Sequence, residues 1–219
     1  MQRHRDIHVP EGLEEVCDPG RLALIVYDMQ VGVAGQLPDG AQVTDRVREV
    51  LDAARRAGVR VFFTRHMSLP TELMGVSQLR TAMAWQRKER VEDVVSPLPR
   101  DSPGFELVPE LAPRESEAIF DKLSMSAFEG TPLEFALRDT QVTAFAIVGV
   151  AMEVGIEPTV RHGADRGLIP VVVTDACGAG DRAAANRSLA ALATAGDAIL
   201  TDVETITRVL APAALPAAS

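Results

Sequence analysis

LALIVYDMQ (Leu22 to Gln30) sets an almost wholly apolar run, Leu22 to Tyr27, directly before an aspartate. Such a run predicts a parallel strand covered on both faces, with Asp28 at its carboxyl end. Working outward, Val43, Val47, Val50, Leu51 and Ala54 repeat at helical spacing, and Gly58 closes that helix. Further strands are predicted at Val59–Thr64, Ala118–Phe120, Thr143–Val150, Pro170–Thr174 and Ala198–Leu200, with helices at about 131–139, 155–166 and 181–195. Strand-helix-strand alternation predicts a doubly wound, three-layer α/β/α sandwich around a mostly parallel six-stranded sheet of order 3-2-1-4-5-6. One domain is expected over residues 1–219. An insertion at about 66–116 interrupts the rhythm; it carries Trp85, a charged run from Arg87 to Asp93 and one helix near 72–88. The Ala/Pro-rich tail from Ala211 to Ser219 is expected to fray.

Composition narrows the function classes. The 219 residues are 47% hydrophobic and 24% charged, an ordinary globular balance, and the formal net charge is −9. No basic patch is legible, so neither a nucleic acid nor an anionic membrane is an expected partner. The first ten residues lack the apolar segment of a secretory signal, and no apolar run approaches the ~20 residues that span a bilayer. A cytoplasmic protein is expected. Cys17 and Cys177 form neither a metal-ligand spacing nor a disulfide framework.

Open parallel sheets bind ligands beyond the carboxyl ends of their strands. That rule selects Asp28, Lys122, the segment Gly149 to Gly155, and Asp175 to Cys177. A strand-end aspartate caps a turn as readily as it does chemistry, and a single lysine is more often a solvated charge. An acid and an amine meeting at one sheet edge are a different matter, because each stabilises the other's charge and together they move protons during hydrolysis.

Three motifs carry a family resemblance. ALIVYDMQ (Ala23 to Gln30), DKLSMSAFEGTPLEFALR (Asp121 to Arg138) and AFAIVGVAMEVG (Ala144 to Gly155), followed by PVVVTDAC (Pro170 to Cys177), resemble isochorismatase-like hydrolases, also known as cysteine hydrolases. The resemblance spans about residues 20–205. It implies that Asp28 and Lys122 are catalytic, and that a non-proline cis peptide joins Val150 and Ala151. Family amidases carry their cysteine nucleophile where this chain has Gly155, at a helix start whose backbone N–H groups form an oxyanion hole. Glycine is no nucleophile, so that thioester route is closed here.

Three readings follow. In the first taken, the protein opens an amide or lactam C–N bond, similar to streptothricin hydrolases, with Cys177 as relocated nucleophile, Asp28 as base and Lys122 lowering the thiolate pKa; a buried inert cysteine is the alternative for Cys177. In the second, Asp28 is the general acid of a vinyl-ether hydrolase, as in isochorismatases that share the glycine; Glu153, where those enzymes carry histidine, would repel an anionic substrate. In the third, the protein binds a small molecule or a partner without turnover. Gln30, His66, Phe128, Ala151, Glu153 and Gly155 are candidate substrate contacts, with Trp85 a further wall. Gln30 alternatively bonds backbone, and the aromatic residues are alternatively core. No metal and no organic cofactor is expected, and the resemblance implies a homo-oligomer.

Overall fold

The computed structural model describes residues 2–211; the reading of the tail beyond 211 falls outside them. Every residue of the opening apolar run is buried, as a strand covered on both faces requires. A small antiparallel hairpin, β1 (Gln2–His4) and β2 (Ile7–Val9), and a single turn, α1 (Leu13–Val16), precede it. The run itself is β3 (Leu22–Tyr27), followed by the short α2 (Val31–Ala34) and the long α3 (Gly40–Ala57). Then come β4 (Arg60–His66), α4 (Val76–Gln86), β5 (Ala118–Lys122), α5 (Leu133–Asp139) and β6 (Ala144–Val150). The chain continues through α6 (Glu157–Asp165), β7 (Ile169–Gly178), α7 (Arg182–Ala195), β8 (Ile199–Thr201) and α8 (Val203–Val209).

The main sheet runs β5-β4-β3-β6-β7-β8, the anticipated order, and every neighbouring pair is parallel. Successive strand residues point to opposite faces, and β3 displays the rule. Leu24 and Val26 enter one apolar cluster with Val47, Val50 and Leu51 of α3 and Ile206 of α8. Ala23, Ile25 and Tyr27 enter a second with Leu137 of α5, Val160 of α6 and Leu192 of α7. The sheet is thus the middle of three layers. Among the described residues, no helix is long and apolar enough to cross a membrane.

Three local differences from the sequence reading bear on the site. The strand β5 continues to Lys122, which places that lysine in register with His66 of β4. The helix expected from 155 is preceded by a π-turn over Met152–Ile156. The insertion between β4 and β5 lies against the end of β3: Val31 N–H donates to Glu106 O at 2.8 Å and Val108 N–H to Met29 O at 2.9 Å. Its far end is pinned to α3 by Arg55, whose guanidinium donates to both Glu117 oxygens at 2.7 Å and to Leu111 O and Ala112 O at 3.1 Å.

At the centre of the sheet Gly149 of β6 pairs with Tyr27 of β3. Its φ of +126° lies where side chains are strained, and an added Cβ would fall 2.1 Å from Tyr27 O. This close approach sets β6 against the strand end that carries the candidate chemistry. Replacement Gly149→Ala is therefore expected to destabilise the protein by at least about 2 kcal/mol and to lower Tm by roughly 5 °C or more, read by thermal unfolding.

Candidate active site

At the end of β3 the backbone turns sharply, and Asp28 takes a left-handed φ of +47° that a short polar side chain tolerates better than most. Asp28 N–H donates to Thr64 O at 3.2 Å, tying the turn to β4. The carboxylate receives Thr64 Oγ1 on Oδ1 at 2.6 Å and Lys122 Nζ on Oδ2 at 2.7 Å. The turn after β3 and the strands β4 and β5 each contribute one member of this cluster.

Lys122 is buried. An ammonium taken out of water must have its three donors satisfied, and here they are: Asp28 Oδ2 at 2.7 Å, Tyr27 Oη at 2.7 Å and Ser124 O at 3.1 Å. It also lies 4.3 Å from the Tyr27 ring centroid, within cation–π range. Burial presses its pKa below the usual lysine range, while Asp28 opposes that shift. Tyr27 Oη in turn donates to Met125 O. Burial first, and then the charge of Asp28, hold the Tyr27 phenol well above its usual range.

The cluster opens on a cavity of about 530 Å³ whose walls include Tyr27, Asp28, His66, Met125, Ala151 and Gly155, with Trp85 and Arg87 from the insertion at one side. Of the candidate site residues, the structure brings Asp28, His66, Ala151, Gly155 and Trp85 to one cavity, with Lys122 bonded to its acid. The Val150–Ala151 peptide is cis, as the resemblance implied. Among the described residues, no group of three or more His, Cys, Asp or Glu side chains is placed to hold a metal ion.

Four candidates stand elsewhere. Gln30 is a backbone clamp: its Nε2 donates to His66 O at 3.0 Å and Phe105 O at 2.9 Å, and its Oε1 accepts from His66 N at 2.7 Å. Phe128 packs edge-on against Phe145, 5.8 Å between centroids, inside the second apolar cluster. The Glu153 carboxylate turns to the next loop and accepts from Asp181 N at 2.7 Å. Cys177 packs on the second apolar cluster, its sulfur 3.7 Å from Ile147 O. Burial, then the charge of Asp175, push that thiol pKa up, the reverse of what a nucleophile needs. Asp175 itself ties α3 to α8 by pairing with Arg46 and accepting from Val203 N at 2.9 Å. The sequence reading missed Tyr27, Thr64, Met125 and Arg87. Only Tyr27 carried a signal, a hydroxyl at the end of an otherwise aliphatic strand.

His66 lines the cavity, and its Nδ1 is buried with no hydrogen-bond partner among the described residues. Burial, and then the charge of Lys122, lower its pKa from the usual 6.5. The unfolded chain therefore takes up this proton first as pH falls. Stability linked to His66 is full above about pH 6.5 and is lost as pH drops from there toward the folded-state value. Denaturant titrations below pH 6.5 should show a flatter pH dependence in His66→Gln than in the wild type.

Comparison with known proteins agrees with this geometry. The family model described as the isochorismatase domain matches residues 22–205. A ureidoacrylate amidohydrolase of Methylobacterium radiotolerans is 28% identical over 190 residues, covering 80% of this chain and 74% of that protein. An N-carbamoylsarcosine amidase of Arthrobacter sp. is 27% identical over 155 residues, 68% of this chain and 54% of its own. The crystal structure of a cysteine hydrolase from Pseudomonas syringae pv. phaseolicola superposes with a TM-score of 0.72 at 27% identity, covering 88% of this chain and 93% of that one. With the strand-end Asp28, the buried Lys122 and the sheet order already in place, the chain belongs to the isochorismatase family of hydrolases.

Proposed function

We propose that this protein hydrolyses the C–N bond of a small amide or ureide by direct attack of water, with Asp28 moving the proton. The observation that carries this reading is the buried Asp28–Lys122 pair at 2.7 Å, opening on a cavity whose walls include neither cysteine. Cys17 is buried in the first apolar cluster and Cys177 packs on the second. The chemistry is therefore assigned to the acid rather than to a thiol.

In the proposed step a water bound against Asp28 gives one proton to the carboxylate as its oxygen bonds to the carbonyl carbon. The tetrahedral adduct then collapses, the C–N bond breaks, and Asp28 returns the proton to the departing nitrogen. Amide and water become acid and amine, and the carboxylate is regenerated. Lys122 supplies fixed positive charge beside the reacting group, without reorganisation, because its three donors are already anchored. The names of the two amide-cleaving relatives support C–N chemistry. Opening a lactam, as streptothricin hydrolases do, uses the same steps on a cyclic substrate.

The walls' lack of a thiol, together with Gly155, favours one other reading, protonation of a vinyl ether by Asp28. That route starts with Asp28 as donor. Both of its oxygens instead accept, from Thr64 and Lys122, an arrangement suited to a base at the outset.

Turnover of N-carbamoylsarcosine, ureidoacrylate, primary amides, lactams and isochorismate by purified protein tests these assignments. Asp28→Asn is expected to cost about 10²–10⁴-fold in kcat on whichever C–N substrate reacts, and Cys177→Ala to keep the wild-type rate. A Cys177→Ala protein that is folded and inactive would return the thiol to the mechanism. Turnover of isochorismate alone would favour the vinyl-ether route, and ligand binding without any turnover would remove catalysis altogether.

A further inference from the structure

Tyr27 reaches the site from an unexpected direction. Its ring packs in the second apolar cluster, and its hydroxyl emerges at the π-turn before α6. A Cβ added at Gly155 would lie 2.0 Å from Tyr27 Oη, 2.4 Å from Cζ and 2.6 Å from Cε1. The phenol oxygen therefore fills the space in which a side chain at position 155 would begin. Tyr27 is also one of the residues that line the cavity next to Asp28, and its phenol oxygen receives a hydrogen bond from the same ammonium that Asp28 binds.

We propose that the Tyr27 hydroxyl is a catalytic hydrogen-bond donor that engages the substrate's carbonyl oxygen as negative charge develops there. This rests on the hydrolytic reading above and adds the group that would stabilise its oxyanion. A phenol hydrogen rotates about one C–O bond. In the structure it points to Met125 O, and a carbonyl oxygen entering the cavity competes for it. Lys122 donates into the phenol oxygen at 2.7 Å, which polarises the O–H and makes it the stronger donor. No proton leaves Tyr27 in this step; the hydrogen bond strengthens as the carbonyl oxygen becomes an oxyanion and relaxes when the C–N bond breaks. The neutral phenol needed for this is the form that burial and the Asp28 charge favour. A donor fixed in a water-poor site is worth far more to an oxyanion than to the ground-state carbonyl.

Kinetics of Tyr27→Phe on a reactive member of the substrate panel test the proposal, because the ring stays in place and only the oxygen is lost. The expected result is a fall in kcat on the order of 100-fold with KM little changed, in a protein that still folds cooperatively although its melting temperature drops because one Lys122 donor has lost its acceptor. A Tyr27→Phe protein with the wild-type kcat overturns it. The chain contains one tyrosine, so a single ¹³Cζ-tyrosine resonance gives a readout that needs no turnover. It should hold the neutral-phenol position through pH 9 and move in Lys122→Met. A phenolate shift below pH 8, or a resonance indifferent to Lys122→Met, overturns the proposal. A wild type idle on the whole panel would defeat the hydrolytic reading instead, and the resonance alone would then decide whether Tyr27 is a neutral donor polarised by Lys122.

Discussion

A lysine ammonium without water needs an acceptor for each proton and a negative charge nearby, and the end of this sheet is arranged around that requirement. Lys122 reaches from β5 past β4 to Asp28 and Tyr27 at the end of β3, and takes its third acceptor from Ser124. The strands β5 and β3 are not neighbours, since β4 runs between them. The contact therefore demands the register of both pairings at once. Thr64 of β4 completes the bridge by donating to the other Asp28 oxygen. A slip of one residue in either pairing would turn the lysine or the aspartate to the opposite face and leave a buried charge without its partner, a cost of several kcal/mol. The geometry of the Asp28–Lys122 cluster and the register of half the sheet are in this sense one constraint.

The walls of the cavity follow from the same strand end. Gln30, two residues beyond Asp28, closes a two-way amide clamp on the backbone of His66 and adds a bond to Phe105 of the insertion. His66 is thereby fixed at the carboxyl end of β4. The insertion is held over the site with Trp85 and Arg87 at its edge. Arg65 reinforces the arrangement: it pairs with Asp121 at 2.8 Å and lies 4.3 Å over the Phe105 ring. Backbone polar groups, and not apolar packing alone, position the segment that narrows the cavity.

Much of this was legible in the chain before any coordinates. Continuous apolar runs give fully buried strands, and strand-helix alternation gives a parallel sheet, so position put Asp28 and Lys122 at its carboxyl edge while the resemblance alone implied their roles. The features that escaped share a physical reason. The β1–β2 hairpin is three residues per strand and exposed throughout, so it has no apolar pattern to read. Gln30 and Glu153 point at backbone groups supplied by distant segments, Phe105 O and Asp181 N, and local sequence carries no trace of such partners. Cys177 alternates on a strand that is covered on both faces, where proximity to the sheet edge does not by itself open a side chain to the cavity.

Tyr27 explains two glycines, of which the sequence reading took Gly155 only as a missing nucleophile and gave Gly149 no role of its own. Its backbone oxygen would meet a Cβ at Gly149 at 2.1 Å, and its phenol oxygen would meet one at Gly155 at 2.0 Å. One aromatic residue at the strand end thus forbids side chains near the end of β6 and in the π-turn that follows, a stretch that lines the cavity through Val150, Ala151, Val154 and Gly155. The absence of a side chain at 155 is therefore no empty space. Its volume is occupied by an oxygen that is hydrogen-bonded to the central lysine and belongs to a residue lining the cavity. A residue that merely plugged the gap could have been a phenylalanine, at no loss of ring packing. A hydroxyl in that position must satisfy its own polarity inside the protein, and it does so with the ammonium on one side and Met125 O on the other. A phenylalanine there would leave one donor of the buried Lys122 without an acceptor, so the hydroxyl secures the central ammonium, and in the proposed reaction the same group is the donor beside the carboxylate.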